Sequence, residues 1–185
     1  MKLNMGCGLN KKEGYTNVDK SAACGPDVEL DLEVFPWPFK ANEAEEVIFN
    51  HSLEHMGETT DVFLGILKEL YRICKPRAKI FIFVPHPRHD DFLGDPTHVR
   101  VITPQLLSLF SKKLNHKWGD NGGANTPLAL YLDVDFEITR AHQVVEEDYL
   151  SLFREEKISE HDLTTMIKER NNVVSEYQIT LEVIK

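Results

Sequence analysis

The sequence predicts an α/β fold, and three observations carry that expectation. Strand-like and helix-like segments alternate along the chain, as they do when helices connect the strands of a mostly parallel sheet. Ile80-Phe81-Ile82-Phe83-Val84 is an unbroken apolar run, suited to a strand covered on both faces. A strand-like Leu3-Asn4-Met5 runs straight into the glycine turn Gly6-Cys7-Gly8. At 185 residues the chain is near the size of one domain and long enough to bury a full core. No repeat, low-complexity tract or linker divides it, so one domain over residues 1–185 is expected, with a less regular insertion at about 86–127.

Taken in order, Tyr15 to Asp19 reads as a second strand, Val28 to Leu32 as a third, and Glu46-Val47-Ile48-Phe49 as a fourth after the turn-rich Phe35-Pro36-Trp37-Pro38-Phe39. Thr59 to Lys75 is the clearest helix: Phe63, Ile66, Leu67, Leu70, Tyr71 and Cys74 fall on one face at helical spacing. Thr59 or Thr60 caps it and Pro76 stops it. Thr103-Pro104 is a cap and first-turn pair opening a helix whose apolar face holds Leu106, Leu107, Phe110 and Leu114. Leu128 to Ile138 alternates as a long half-buried strand, Ser159 caps a further helix, and Val173 to Ile184 alternates as a terminal strand.

Composition narrows the function classes. The formal net charge of -9 argues against nonspecific binding to a phosphate backbone, which rewards Lys and Arg. Cys7, Cys24 and Cys74 form neither a metal-ligand spacing nor an even disulfide framework. No apolar run reaches membrane-spanning length and no secretory leader opens the sequence. A cytoplasmic protein without membrane or nucleic-acid partners is expected.

The chemistry-bearing signal is the glycine turn followed by a second strand ending in Asp19. Glycines let the backbone approach a ligand closely, and ligands of open α/β sheets sit beyond the carboxyl ends of the strands. An acid ending the second strand accepts hydrogen bonds from ribose hydroxyls. Dinucleotides and S-adenosylmethionine (SAM) both fit that arrangement. A dinucleotide needs Gly-x-Gly-x-x-Gly opening a helix whose N-terminus faces the pyrophosphate. Here Lys11 stands at the third glycine's place, and Leu9 to Gly14 are too few for a crossover helix, which needs about 10–12 residues. SAM carries no phosphate and tolerates that truncation.

Leu3-Asn4-Met5-Gly6-Cys7-Gly8, Asn17-Val18-Asp19, Asp31-Leu32, Phe35-Pro36-Trp37-Pro38-Phe39 and Phe49-Asn50-His51-Ser52-Leu53-Glu54-His55-Met56 follow one another in an order that resembles the class I SAM-dependent methyltransferases, especially the small methyltransferase type 11-like group. The resemblance covers about residues 2–86 by motif and the rest by topology. It implies a Rossmann-like, mostly parallel sheet with helices on both faces and the last strands antiparallel, here with the first crossover helix truncated. It implies SAM as cofactor, with Gly6 and Gly8, beside Asn4, at its methionine part, Asp19 at the ribose, Asp31 and Leu32 by the adenine, and Asn50 and His51 closing the pocket. The chain departs from the family in having Asn10 where the third loop glycine is usual and no helix before the first strand.

Acceptor-side groups belong at the ends of the fourth and fifth strands, where the chain offers His51, Glu54 and His55 and then the segment from His86 to Arg100. His86, His89 and His98, with Asp90, Asp91 and Asp95 nearby, are the candidate catalytic residues, since an imidazole oriented by a carboxylate acts as a general base near neutral pH. Arg100 is a candidate to hold an anionic acceptor group. None of the His and carboxylate spacings matches a defined ligand motif, so no metal site is expected. Asn50-His51-Ser52-Leu53 lacks the Asn-Pro-Pro-Tyr-like pattern of many nitrogen methylases acting on DNA bases, which leaves a small-molecule or sugar-containing acceptor methylated on oxygen or nitrogen. A non-catalytic SAM-binding sensor or scaffold is the alternative. A homodimer through the Leu128–Ile138 segment or the terminal strand is a further expectation.

Overall fold

The computed structural model describes residues 1–185. Strands β1 (Lys2–Met5), β2 (Thr16–Asp19), β3 (Val28–Glu29), β4 (Ala44–Asn50), β5 (Cys74–Pro85), β6 (Phe136–Val145) and β7 (Val174–Val183) form one sheet in the order β3-β2-β1-β4-β5-β7-β6. The first five run parallel, and β7 lies antiparallel between β5 and β6. Strand order reverses between β1 and β4, which fixes the switch point where an open α/β sheet binds ligands. Between β1 and β2 there is no helix.

Helix α1 (Thr60–Ile73) buries Phe63, Ile66, Leu67 and Leu70 as their spacing predicts, with Ile73 added to that face and Tyr71 half-buried at its margin. The Thr59 side chain caps it by accepting from Val62 N. It ends before Pro76: Cys74 already pairs with Ala44, so Cys74 is the first residue of β5 rather than part of the helical stripe. Leu3, Met5, Val47, Phe49, Ile80 and Ile82 pack with the α1 residues and with Leu107 and Phe110 in one core cluster of 29 buried residues.

Cover is uneven between the two faces. Because side chains alternate along a strand, the face opposite α1 carries Lys2, Glu46, Lys79 and Glu182 in register across four strands. Lys2 and Glu46 pair at 3.2 Å, and Lys79 pairs with Glu182. On that face Phe81 and Phe83 are only half-buried, whereas Ile80, Ile82 and Val84 are fully buried. The apolar run of β5 is thus sealed on one side and part-open on the other, where a first crossover helix would have packed.

The insertion after β5 contains α2 (Asp90–Leu93), α3 (Pro104–Ser108), α4 (Lys112–Asp120) and α5 (Leu128–Leu132). The helix expected from Thr103 breaks after Ser108, and Ser111 caps α4 afresh by accepting from Leu114 N. Leu128 to Ile138 is not one strand. Leu128–Leu132 is helical, Asp133 turns out of the helix in the left-handed region at φ 52°, and β6 starts at Phe136. Ala129 N at the start of this helix donates both to the side chain of buried Asn115 at 3.0 Å and to Leu109 O at 3.1 Å, which docks the segment on α4 and the turn before it. Two helices, α6 (Glu147–Arg154) and α7 (Glu160–Glu169), connect β6 to β7, the latter opened by the Ser159–Asp162 capping box. The terminal strand β7 is interior, so it offers no free edge for a second copy; β6 and β3 are the edges. No helix is long and apolar enough to cross a membrane.

Candidate active-site cleft

The site grows from the turn that ends β1. Gly6 and Gly8 both take positive φ, 67° and 50°. A Cβ on Gly6 would stand 2.6 Å from Ser52 Cβ, while one on Gly8 would meet nothing within 4 Å. The first glycine lets β1 approach β4 closely; the second leaves open space beside the backbone. Ser52 Oγ donates to Met5 O at 2.8 Å, tying the ends of those strands together. Asp19 Oδ2 accepts from Gly8 N at 2.8 Å and Asp19 Oδ1 from Ser21 N at 2.9 Å, so the carboxylate ending β2 holds the turn.

Around this turn opens a cleft that takes in Gly6, Gly8, Asp19, Lys20 and Leu30. Asp31, Leu32 and Glu33 form one wall. That wall is anchored from behind: Trp37 Nε1 donates to Leu32 O at 3.1 Å, Glu69 accepts from Trp37 N at 2.7 Å, and Arg72 donates to Trp37 O and Phe39 O. The Pro-rich segment is therefore a strap from the cleft wall to α1. Glu33 Oε1 accepts from Gly57 N at 2.8 Å, linking the wall to the segment after β4.

His51, Ser52, His55 and Met56 form the facing wall. His51 ends β4 with φ 50°, a conformation that a non-glycine residue holds only when its surroundings impose it. Its Nε2 lies 2.7 Å from Glu176 Oε2 on β7, and its Nδ1 lies 3.7 Å from Glu54 Oε1. Next to it, Glu54 is 1% exposed and neither carboxylate oxygen has a hydrogen-bond partner. Burial pushes the Glu54 carboxyl above its usual range.

Of the residues expected to hold the cofactor, Gly6, Gly8, Asp19, Asp31, Leu32 and His51 come together in this cleft. Asn4 and Asn50 do not: they line a separate pocket with Lys11, Lys12, Ile48 and Phe83. Strand alternation is the reason, since Leu3 and Met5 face the core and Asn4 therefore faces away. Its amide donates to Asn17 Oδ1 at 2.9 Å and Asn10 O at 3.0 Å, holding the truncated crossover.

The three loop histidines separate. His86 is 5% exposed, packs against Tyr177 with the rings tilted at 4.9 Å between centroids, and its Nδ1 accepts from Arg88 N at 3.2 Å. Burial, with the Arg88 charge, holds it below the ordinary histidine range. His89 caps α2, accepting from Asp91 N at 3.1 Å. Neither lines the cleft. His98 reaches its wall indirectly, packed against His55 at 4.5 Å between ring centroids. Arg100 is engaged within the protein through Nε, which donates to Gly57 O at 3.0 Å, and lies 4.8 Å over the Phe63 ring.

Sequence reading named Glu54 and His55, with His51, among the acceptor-side groups and missed Ser52 and Met56 as cleft residues. Leu53–His55 is a single turn of 3-10 helix. An acid and a histidine following a strand end by a few residues were the signal for this wall.

No family model and no curated protein sequence matches the chain. Among solved structures it is similar to a SAM-dependent methyltransferase from Archaeoglobus fulgidus, with 19% identity over 98% of this chain and 85% of that one and a TM-score of 0.63. A SAM-dependent methyltransferase from Methanosarcina mazei matches 99% of this chain and 92% of its own at 13% identity, TM-score 0.55. The Burkholderia thailandensis 1,6-didemethyltoxoflavin-N1-methyltransferase, solved with its substrate and S-adenosylhomocysteine, matches all of this chain and 71% of its own at 11% identity, TM-score 0.53. The fold of this chain is the fold those SAM-dependent methyltransferases share.

Proposed function

We propose that the protein is a SAM-dependent methyltransferase acting on an oxygen or nitrogen of a small-molecule or sugar-containing acceptor. The observation that carries this reading is the cleft itself: Gly6, Gly8, Asp19, Asp31 and Leu32 line one cavity at the switch point of a sheet with the methyltransferase strand order. Asp19, Asp31 and Glu33 face it with Lys20 as the one cation, and no helix N-terminus follows the glycine turn. That charge pattern suits a sulfonium- and ammonium-bearing ligand and lacks the anchor a pyrophosphate needs. Open space at Gly8 leaves room for ligand against the backbone. The small-molecule acceptor follows the Burkholderia enzyme's named substrate.

When bound, SAM supplies an electrophilic methyl group, and transfer depends on holding a nucleophile in line with it. Asp19 binds the ribose hydroxyls and Leu32 packs by the adenine. His51 takes the acceptor's proton, its Nε2–H held by Glu176 so that Nδ1 is the basic nitrogen. The test is calorimetry with SAM, S-adenosylhomocysteine and NAD, followed by a methyl-transfer screen over metabolite pools. Binding of a SAM species at about -8 kcal/mol is expected. Preference for NAD, or no binding of either SAM species, overturns the reading. Binding with no transfer to any pool points to a sensor instead.

A further inference from the structure

We propose that Glu54, His55 and His98 bind one divalent first-row transition cation in the wall of the cleft. One potential ligand atom from each residue lies within 4.8 Å of the others. The same three residue types, two histidines and one carboxylate, make up zinc sites that keep an open position and facial triads that hold iron.

What marks this cluster as a site is the state of its lone pairs. Both oxygens of Glu54 are buried with no donor, a costly condition for a carboxylate inside a protein. His98 Nδ1 lies 2.9 Å from Phe92 O, an acceptor, so Nδ1 carries the hydrogen and Nε2 the lone pair. His55 Nδ1 lies 2.9 Å from Thr97 Oγ1. Thr97 donates its own hydroxyl hydrogen to Asp95 Oδ1 at 2.6 Å, so it accepts from His55 and leaves Nε2 of that ring basic as well. A carboxylate and two imidazoles thus meet with free lone pairs and no donor among them. Outer partners fixing each ring through its other nitrogen are the arrangement around metal-bound histidines.

The cluster is also built by the backbone. Val99 N and Arg100 N both donate to Glu54 O, at 2.9 and 3.0 Å, docking the His98 segment onto the turn after β4. His55 lines the cleft, so the open coordination positions face it and fall to water or to an oxygen of a bound molecule. The proposal does not depend on the methyltransferase reading.

The test titrates chelator-treated protein with Zn²⁺ alone by calorimetry, and with Co²⁺ by visible absorption, without SAM present. One equivalent binding tighter than about 100 μM, with a Co²⁺ band of tetrahedral or five-coordinate intensity, is expected. Glu54→Gln and His98→Ala weaken binding by about 10-fold or more, and His55→Ala serves if either fails the check of fold by circular dichroism. His161→Ala, on the exposed face of α7, binds as wild type. No binding in that range, or equal binding by the folded Glu54, His98 or His55 variants, overturns the proposal.

Discussion

The Asp19 carboxylate accepts a hydrogen bond from the backbone N–H of Gly8 at 2.8 Å, so the acid that ends β2 also shapes the glycine turn. Two roles can be separated by substitution. Asp19→Ala removes both the turn contact and the ligand contact and should weaken S-adenosylhomocysteine binding by about 1–3 kcal/mol. Asp19→Asn keeps an acceptor for Gly8 N and should lose less. Calorimetry on both variants checks this; equal losses would mean that charge alone matters.

The two glycines of that turn should respond differently to alanine. Gly6→Ala combines a left-handed φ with a Cβ 2.6 Å from Ser52 Cβ, and should cost about 2–4 kcal/mol of stability. Gly8→Ala meets no neighbour within 4 Å and should cost only the conformational term, about 1–2 kcal/mol. Thermal melts resolve the difference, at roughly 2–4 °C per kcal/mol for a chain of this size. A smaller loss at Gly6 than at Gly8 would contradict the close approach of β1 and β4.

The proposed reading gives proton removal to the His51–Glu176 pair, and predicts a different response from the loop histidines outside the cleft. His51→Gln should lower turnover on the true acceptor by about 10²-fold or more, and Glu176→Gln by less, through loss of orientation. His86→Ala and His89→Ala should retain near-wild-type rates. A hundredfold loss at His86 or His89 with His51→Gln active would return the base to the loop.

His86 instead should report in the stability of the fold. Burial lowers its folded pKa, so the neutral ring is favoured and the contribution it makes is lost as pH falls below the ordinary 6.5. Denaturant melts between pH 7 and 5 should show a shallower decline for His86→Gln than for the wild type. Parallel declines would remove the ring as the source.

The cysteines give a fifth check. Cys74 is fully buried and its thiol is pushed up to about 12 by burial. Its protonated state stabilises the fold below the ordinary 9.0, and that stability is lost as pH rises through about 12. Cys7 is 3% exposed and is also raised, by burial first and then by Asp19. With a thiol reagent at pH 8, half-buried Cys24 should react first in the native protein, Cys7 slowly and Cys74 only after unfolding. Prompt labelling of Cys74 would show that the end of α1 opens.

By itself the sequence determined the sheet's first half, α1 and most of the cleft, because those features are local. A glycine turn after a strand, an acid at the next strand's end, and a helical stripe from Phe63 to Leu70 each follow from neighbours a few residues apart. Leu128–Leu132 was legible only as alternation, which a short helix and a strand share; its docking on Asn115 and Leu109 comes from another part of the chain. Asn4 was expected among the cofactor residues, yet strand pleating turns it to the other face, where it lines a separate pocket. Only tertiary structure brought His98 onto Glu54 and His55, through two backbone hydrogen bonds across the fold, and set Glu176 against His51 from the last strand. Local periodicity records which face a residue takes, while the meeting of side chains from distant segments depends on strand order and loop closure, which no short window of sequence contains.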